Sequence, residues 1–204
     1  MRVLVPFATE EPKSRLAAAL GPRERDAFAR ASLEDVLEAV RGAGGEPTVL
    51  ATADPGVDAE TVVDERPLTA AVNAAIADTE LPVAVVMADL ALATAGAVAE
   101  LLAADGEVVL VPGRGGGTNA LLVRHPEFRV DYHGASYRDH LTIAREVDAD
   151  VGRVDSYRLS TDVDEPADLV EVLLHGRPRS RTVLEEAGFV LDADGGRVRA
   201  VREW

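Results

Sequence analysis

Of the 21 lysine and arginine residues in the chain, only Lys13 is a lysine, and it follows the first apolar segment, residues 3–5. An ammonium on a flexible stem, in a loop at the end of a strand, suits a phosphate chain as a movable point charge. Biased composition that left one lysine by chance explains the residue alone equally well. A functional interpretation of Lys13 therefore depends on whether other predicted strand ends carry chemistry of the same kind.

Three aspartates lie at such positions. Asp89 follows the apolar run 83–87, where a carboxylate has to be solvated, bonded as a helix cap or bound to a cation. Because Thr94 is the better cap for the next helix, we interpret Asp89 as functional. Asp162 and Asp164 share one face if their segment is extended, but taken alone they are better explained as a solvated acid beside the cap of a helix running from 164 to about 175. Two carboxylates from separate strand ends, Asp89 and Asp164, are a usual way to hold Mg²⁺ against phosphates.

Residues 112–119 form a glycine-rich segment that ends in Thr118 and Asn119. It lacks the Gly-Lys-Ser/Thr ending of a Walker A loop. Consecutive glycines let backbone N–H groups approach an anion, and the two polar side chains add hydrogen-bond partners. A flexible hairpin between two strands accounts for the local pattern equally well.

The remaining polar candidates are less specific. Asn73 lies in an otherwise apolar helical segment, where its amide could contact a nucleobase edge or hold a neighbouring loop. His133 and His140 lie near Ser136, but no Ser-His-Asp order with supporting motifs is present, which argues against hydrolase chemistry. We expect Arg138 and His140 on the surface of a helix.

The pattern that positions these residues is an alternation of strands and helices. We predict strands near 3–5, 47–51, 61–63, 83–87, 107–111 and 119–123, with helices near 22–41, 68–78, 94–104, 136–147 and 164–175. The alternation predicts an α/β fold with a mostly parallel, doubly wound sheet in a single domain spanning 1–204. Residues 176–204 are expected to add a short helix and a hairpin. In such sheets ligands bind at the carboxyl ends of strands.

Composition narrows the function classes. A formal net charge of −15 argues against nucleic acid and anionic membranes as partners. The absence of cysteine excludes disulfides and thiolate metal sites. No secretion signal is recognisable at the N-terminus, and the apolar window 81–104 contains Asp89 and divides into a strand and a helix. We expect a cytoplasmic protein, and the excess of acid with almost no lysine also suits a salt-rich cytoplasm. A GC-rich genome would equally favour Arg over Lys.

Taken together, these segments resemble one family. Pro12-Lys-Ser-Arg-Leu, Ala88-Asp-Leu, Arg114-Gly-Gly-Gly-Thr-Asn-Ala-Leu, Ser136 with His140-Leu, and Asp162-Val-Asp-Glu-Pro-Ala-Asp-Leu are similar to the 2-phospho-L-lactate guanylyltransferases of coenzyme F420 biosynthesis. The resemblance covers residues 1–175. We expect the tail after Gly176 to lie outside it and to have no role beyond subunit contact.

The resemblance implies a nucleotidyltransferase fold related to the GT-A glycosyltransferases, with Mg²⁺, GTP and a small phospho-acid as partners, and a homodimer. The family's site roles are assigned to the residues of this chain that match its motifs. Lys13 and Arg15 would take part in catalysis and bind the nucleotide phosphates. Asn73 would also bind the nucleotide. Metal would be held by Asp89 and Asp164, with Asp162 as a further candidate. The phospho-acid would meet Arg114, Gly116, Gly117, Thr118, Asn119 and Ser136.

Three alternatives stay open at this point. Bacterial relatives use phosphoenolpyruvate in place of 2-phospho-L-lactate. A different nucleotidyltransferase would be expected to carry a Leu-x-Ala-Gly-x-Gly loop after the first strand, which this chain lacks. A nucleotide-binding regulatory domain would not need Lys13 together with Asp89 and Asp164.

Overall fold

The computed structural model describes residues 1–10 and 12–203, and every candidate site residue lies within them. Over this part of the chain the strands are β1 (Arg2–Phe7), β2 (Glu46–Ala51), β3 (Glu60–Val63), β4 (Val83–Val86), β5 (Val108–Pro112), β6 (Thr118–Val123), β7 (Val151–Arg153), β8 (Phe189–Asp192) and β9 (Arg199–Arg202). The helices are α1 (Pro22–Gly42), α2 (Leu68–Ala77), α3 (Ala95–Ala103), α4 (Ser136–Glu146), α5 (Tyr157–Ser160), α6 (Leu169–His175) and α7 (Pro178–Glu186).

A seven-stranded sheet in the order β3-β2-β1-β4-β6-β5-β7 forms the centre of the molecule. The strand pairs are parallel except where β6 runs antiparallel to β4 and β5. β4 and β6 are buried along their whole length, as continuous apolar strands covered on both faces should be. The predicted α/β class with a mostly parallel, doubly wound sheet is confirmed.

Helices cover both faces of the sheet because side chains alternate along each strand. Val3 and Val5 of β1 pack on one face, in a core with α1 and α3, whereas Leu4 packs on the other face with α2 and α4. The helix α1 begins at Pro22, at a first-turn position where its missing N–H costs no hydrogen bond. Its buried stripe includes Leu33 and Val40.

The order of the strands also fixes where a ligand can enter. β1 is parallel to both of its neighbours, but the chain continues to β2 on one side and returns as β4 on the other. Connections that leave in opposite directions open a crevice at the carboxyl ends of the two strands. The loop with Lys13 follows β1 and the loop with Asp89 follows β4, so both border this crevice.

A third apolar cluster, which we name the site-supporting core, lies beneath the loops of the crevice. It combines residues of α1 and of the loops with Lys13, Asp89 and Asp164 with residues of the C-terminal segment: Leu16, Leu20, Phe28, Ala91, Leu92, Val163, Leu169, Val172, Leu173, Leu184 and Phe189. The predicted C-terminal helix and hairpin are present as α7 and the pair β8–β9. The expectation that this tail serves only subunit contact is wrong, because Leu184 and Phe189 complete an internal core.

The sequence pattern did not predict three short elements that lie between the predicted ones. Residues Ser14–Ala18 form a 3-10 turn directly after Lys13, α5 is a single turn, and β7 is a three-residue edge strand. Elements of one turn or three residues carry too few positions for periodicity to be recognised.

Candidate active site

Lys13 lies at the centre of the crevice between two carboxylates. Its Nζ donates to Asp164 Oδ1 at 2.8 Å and to Asp89 Oδ2 at 3.1 Å, and its side chain is 9% exposed. Burial works against the charge on Lys13, but Asp89 and Asp164 outweigh it, so the pKa of Lys13 is raised. The backbone at Lys13 is left-handed, with φ of 56°, a strained conformation of the kind that functional sites retain. The lone lysine is therefore a fixed cation in a carboxylate pair.

The donor set fits a hard divalent cation. Asp89 Oδ1 is buried and has no hydrogen-bond partner among the described residues, whereas Asp89 Oδ2 accepts from Lys13. An orphaned buried carboxylate oxygen is costly unless a cation or donor meets it in the working state. No group of three or more His, Asp or Glu side chains is arranged to hold a metal within residues 1–10 and 12–203. The carboxylates of Asp89 and Asp164 are ligands of the kind that hard divalent cations prefer, and such ions commonly complete their shell with phosphate oxygens and water.

Asp164 faces the site and does not cap the following helix, contrary to the expectation that it could do both. The carboxylate of Asp168 accepts the backbone N–H groups of Asp164 and Glu165, so Asp168 closes this turn. Asp164 is left free for Lys13 and for Arg15, whose Nη1 donates to Asp164 Oδ2 at 3.3 Å. Thr94, the predicted cap of the helix that follows Asp89, accepts the N–H of Ala97 as expected.

Backbone hydrogen bonds hold the Asp89 loop in place. The Ser32 hydroxyl on α1 donates to the carbonyl of Ala88, and the N–H of Val163 donates to the carbonyl of Asp89. The second of these bonds ties the loop with Asp89 to the loop with Asp164. The two carboxylates therefore keep their spacing through main-chain contacts and do not depend on Lys13 alone.

Three adjoining cavities surround this group. The first has a volume of about 190 Å³ and is lined by Lys13, Asp89 and Asp164 with Phe7 and Met87. The second, of about 450 Å³, shares the walls Phe7 and Met87 with the first and extends towards β2 and the loop before α2. The third, of about 280 Å³, lies on the other side of Asp164. Its basic lining residues, within the part of the chain that is described, are Arg15 and Arg114.

The glycine-rich segment forms a hairpin between β5 and β6. The N–H groups of Gly113 and Gly116 donate to the carbonyls of Gly117 and Gly113, and the N–H of Arg114 donates to Ser160. Gly116 has φ of +89°, and a side chain at Gly113 would approach Asn119 Oδ1 to 2.3 Å. These bonds favour the hairpin over an anion-binding nest, since most of the donors are already used within the protein. Gly116 and Gly117 make the turn, and Arg114 is the exposed residue that it presents.

Thr118, Asn119 and Ser136 are buried behind that turn. The N–H of Thr118 donates to Ser136 Oγ at 3.0 Å, and Asn119 Nδ2 donates to Asp162 Oδ1 at 3.1 Å. Each of the three side chains is less than a tenth exposed. They brace the hairpin, and Asp162, held by Asn119, lines the third cavity together with Asp164.

The expectation that His140 lies on a helix surface is wrong, because the residue is fully buried. The N–H of Asp131 donates to His140 Nε2, so the ring proton resides on Nδ1, which donates to the Thr118 hydroxyl at 2.8 Å. Burial lowers the pKa of His140 to about 4. The ring of Tyr132 packs edge-on against it at 5.2 Å. A neutral His140 therefore joins the glycine-rich hairpin to the loop that precedes α4.

Asn73 takes the second of its two predicted roles. Its Nδ2 donates to the carbonyl of Val130 and its Oδ1 accepts the N–H of Val130, at 2.9 and 2.8 Å. This two-point contact holds the loop before α4 against α2. The structure gives Asn73 no position in the cavities described above.

Three charged residues of the second cavity, Asp64, Glu65 and Arg66, were not recognised in the sequence, and two of them form an ion pair. Asp64 and Arg66 line it from the loop between β3 and α2. The segment Asp64-Glu-Arg-Pro directly follows a predicted strand, which is the signal that identified Asp89. The same signal was available here, but an Asp-x-Arg pattern on an exposed edge is easily interpreted as a surface ion pair.

Comparison with known proteins shows the family of this chain. The family described as "Guanylyl transferase CofC like" matches residues 1–201. A protein named 2-phospho-L-lactate guanylyltransferase from Halomicrobium mukohataei is 58% identical over 99% of this chain and 100% of its own length. One of the same name from Halorubrum lacusprofundi is 57% identical over the full length of both chains. Since the match continues through residue 201, the expectation that the tail lies outside the resemblance is wrong.

Solved structures show the fold. A protein of Desulfovibrio desulfuricans described as a nucleotide-diphospho-sugar transferase superposes with a TM-score of 0.72 at 15% identity, covering 91% of this chain and 94% of that one. A nucleotidyl transferase of Methanothermobacter superposes with a TM-score of 0.59 at 13% identity, over 85% and 96% of the two chains. Within the described residues no helix is long and apolar enough to cross a membrane. With its nucleotidyltransferase fold and its close relatives, this chain belongs to the 2-phospho-L-lactate guanylyltransferase family.

Proposed function

We propose that this protein transfers GMP from GTP to 2-phospho-L-lactate and releases pyrophosphate. The observation that carries the proposal is the contact of Lys13 Nζ with both Asp89 and Asp164 at the crevice between β1 and β4. Family membership supplies the reaction class, and the relatives' names supply GTP and 2-phospho-L-lactate as the substrates to test. The alternative acceptor phosphoenolpyruvate has no observation in its favour.

The reaction needs alignment and charge neutralisation more than proton transfer. A phosphate oxygen of the acceptor forms a bond to the α-phosphorus of GTP while the bond from that phosphorus to the bridging oxygen of the β-phosphate breaks. The electron pair stays with the departing pyrophosphate. Because the attacking oxygen is ionised at neutral pH, no general base is required. His140 lines none of the three cavities and uses both ring nitrogens in contacts with Thr118 and Asp131, so it is not placed to act as a base.

Lys13 and Arg15 are suited to the charge of the triphosphate. Lys13 is the buried cation of the first cavity, and Arg15, 71% exposed, reaches over Asp164 from the third. Cations positioned where negative charge develops commonly contribute the largest share of catalysis in such transfers. We assign nucleotide phosphates and pyrophosphate neutralisation to this pair.

We propose Mg²⁺ as the cofactor, held by Asp89 and Asp164. When bound, the ion would neutralise phosphate charge and orient the phosphate chain. The buried Asp89 Oδ1, which has no hydrogen-bond partner in the part of the chain that is described, supports this assignment. Lys13 donates to one oxygen of each carboxylate, which leaves the other oxygen of Asp89 for the ion.

The third cavity is the proposed acceptor site. Arg15 and Arg114 are its basic residues among those described, and a small phospho-acid carries a phosphate and a carboxylate, both suited to guanidinium forks. Thr118, Asn119 and Ser136 support this site from behind through the bonds of the glycine-rich hairpin. Asp164 separates the acceptor cavity from the nucleotide cavity and lines both.

The test is pyrophosphate release by the purified protein with Mg²⁺ in molar KCl. Each nucleoside triphosphate is paired with 2-phospho-L-lactate and, separately, with phosphoenolpyruvate. Release with GTP and 2-phospho-L-lactate supports the proposal. Release only with phosphoenolpyruvate reassigns the acceptor, and release with no pair from folded protein favours a nucleotide-binding regulatory domain.

We further propose that the chain forms one nucleotidyltransferase domain over 1–204, acts in the cytoplasm and assembles as a homodimer. The tail's place in the site-supporting core favours a single domain. The net charge of −15 favours a salt-rich cytoplasm. Size-exclusion chromatography with light scattering in high salt measures the assembly state.

A further inference from the structure

The second cavity is the part of the crevice to which no substrate group has yet been assigned. It shares Pro6, Phe7, Ala8 and Met87 with the cavity that contains Lys13. A nucleotide whose phosphates lie at Lys13 can therefore extend across these shared walls without leaving the crevice. Its volume of about 450 Å³ lies in the range of about 300–1,000 Å³ typical of small-molecule sites.

The lining of this cavity is mostly apolar, with its charges confined to one loop. Among the described lining residues, the charged ones are Asp64, Glu65 and Arg66, between β3 and α2. Flat apolar walls with a few directional polar groups are typical of nucleobase and cofactor sites, where the polar groups decide specificity. A nucleobase is the group of GTP that such walls suit.

Arg66 is held by Asp64 in a defined orientation. Its Nε lies 2.9 and 3.0 Å from the two oxygens of Asp64, and its Nη2 donates to Asp64 Oδ2. The backbone N–H of Arg66 donates to Asp64 Oδ1 as well, and the Asp64 side chain is only 11% exposed. This contact uses the Nε side of the guanidinium. Nη1 has no hydrogen-bond partner within residues 1–10 and 12–203, so the outer fork formed by Nη1 and Nη2 is available to a ligand.

A guanidinium fork distinguishes guanine from adenine. Guanine presents two adjacent acceptors, O6 and N7, which an arginine meets with two parallel hydrogen bonds. Adenine presents N7 beside an amino group at C6, which would place a donor against a donor. A fork already oriented by a carboxylate loses less side-chain entropy when it binds, which favours its use for selection.

We propose that Arg66, oriented by Asp64, donates to O6 and N7 of the substrate's guanine and thereby selects GTP over ATP. This inference rests on the proposed function, because it assumes that a nucleoside triphosphate binds with its phosphates at Lys13. It assigns base selection to a residue outside the catalytic group.

The test combines an atomic change in the base with a change of the side chain. We compare kcat/KM for GTP, 7-deaza-GTP, ITP and ATP in the wild type and in Arg66→Met. In the wild type, 7-deaza-GTP, which lacks the N7 acceptor, should lose about tenfold, the equivalent of one hydrogen bond. ITP, which keeps O6 and N7, should not lose this contribution. Arg66→Met should lower kcat/KM for GTP by about 10- to 100-fold, mainly through KM, and should remove the difference between GTP and 7-deaza-GTP.

Two further variants separate base selection from general effects. Arg66→Lys keeps the positive charge but not the fork, so it should restore little of the GTP preference. Arg145→Gln removes an exposed arginine of α4 outside the three cavities and should leave every ratio unchanged. Thermal unfolding of each variant in high salt checks that the fold is kept.

The outcomes distinguish this inference from the proposed function. If the wild type turns over GTP but Arg66→Met keeps the wild-type ratio of GTP to 7-deaza-GTP, the base assignment is overturned and the function stands. If the wild type turns over no substrate pair, the proposed function fails. In that case the equilibrium dissociation constants of GTP and 7-deaza-GTP are measured for the wild type and for Arg66→Met. If the ratio of the two constants is the same in both proteins, the base assignment is again overturned.

Discussion

At the scale of single residues, the chemistry of the candidate site depends on which cations neutralise its carboxylates. Lys13 contacts Asp89 and Asp164 at once, and Arg15 contacts Asp164 from the more exposed side. An ammonium and a divalent cation are alternative ways to neutralise the same pair of acids. Among the described residues Asp89 Oδ1 has no hydrogen-bond partner, so Lys13 leaves one oxygen of this pair without a cation or donor.

Asp89→Asn should reduce turnover by about 100-fold or more while the fold is kept, because it removes the oxygen donor that most needs a cation. Pyrophosphate release and thermal unfolding of the same preparation measure the two effects. Asp26→Asn, at an exposed position of α1, changes the net charge equally and serves as the control. Near wild-type rates in Asp89→Asn with Mg²⁺ present would contradict the metal assignment.

His140 should make stability depend on pH. Its pKa is about 4 in the folded protein, because burial disfavours the charged form, and near 6.5 in the unfolded chain. Between these values the unfolded state binds more protons, so the free energy of unfolding should fall as pH drops from about 6.5 towards 4, by roughly 3 kcal/mol at most. The stabilisation that comes from burying a neutral ring is therefore fully present above about pH 6.5 and is lost as the pH falls towards 4.

Denaturant unfolding at pH 4.5 and 7 measures this effect. His140→Gln removes the titrating group and should flatten the pH dependence by up to that amount relative to the wild type. His175→Gln, at an exposed position of α6, should keep the wild-type dependence. Equal slopes for the wild type and His140→Gln would show that His140 does not titrate between the two states.

At the scale of elements, the catalytic loops depend on the C-terminal segment. Leu16 lies just after Lys13 and Arg15, Leu92 lies just after Asp89, and Val163 precedes Asp164, and all three pack in the site-supporting core. Leu184 of α7 belongs to the same core. The helix α7 is itself held by the buried Asp35 of α1, which accepts from the N–H and the hydroxyl of Ser180. The tail therefore positions the site although it contributes no residue to the cavities described.

Leu184→Ala should lower the free energy of unfolding by about 2–5 kcal/mol, because Leu184 is fully buried and its removal leaves a cavity. It should also lower kcat of the folded fraction, since the cavity lies beneath all three catalytic loops. Leu121→Ala, a fully buried change in the core on the other face of the sheet, is the matched control. If both variants lose stability but keep the same kcat, the core does not position the loops.

At the scale of the whole molecule, charge is the dominant property. The chain carries 36 acidic against 21 basic residues, so the folded surface repels itself at low ionic strength. Two polyanionic substrates must nevertheless enter the crevice. Lys13, Arg15, Arg66 and Arg114 line the three cavities, but each lining also carries more carboxylates than cations, so a bound metal ion would have to supply part of the positive charge that the phosphates need.

Raising KCl from about 0.1 to 1 M shortens the screening length from about 10 to 3 Å and should raise the melting temperature by several degrees. Sucrose, which favours the compact state without screening charge, is the control for general solvent effects. A melting temperature that responds to sucrose but not to KCl would contradict self-repulsion as the limiting factor. The measurement needs neither substrate nor metal.

Much of the fold follows from local pattern. The apolar run of β4, the helix start at Pro22 and the turn between β8 and β9 each follow from side-chain periodicity or from the properties of proline and glycine. Because parallel strands present their carboxyl ends together, the same pattern placed Lys13, Asp89 and Asp164 on one edge of the sheet. Each of these inferences depends on residues close together in the sequence.

What only the tertiary structure decided depends on contacts between distant parts of the chain. Lys13 meets Asp164 across 151 positions, His140 is buried by Tyr132 and Phe128, and Leu184 packs beneath loops from the N-terminal half. For the same reason Asn73 holds a neighbouring loop and Asp168 takes the capping role expected of Asp164, because these partners depend on how the loops meet. The sequence determined the residue types and the elements that carry them. The packing of those elements determined which side chains are buried, paired or open to a ligand, since burial and pairing are properties of the assembled chain.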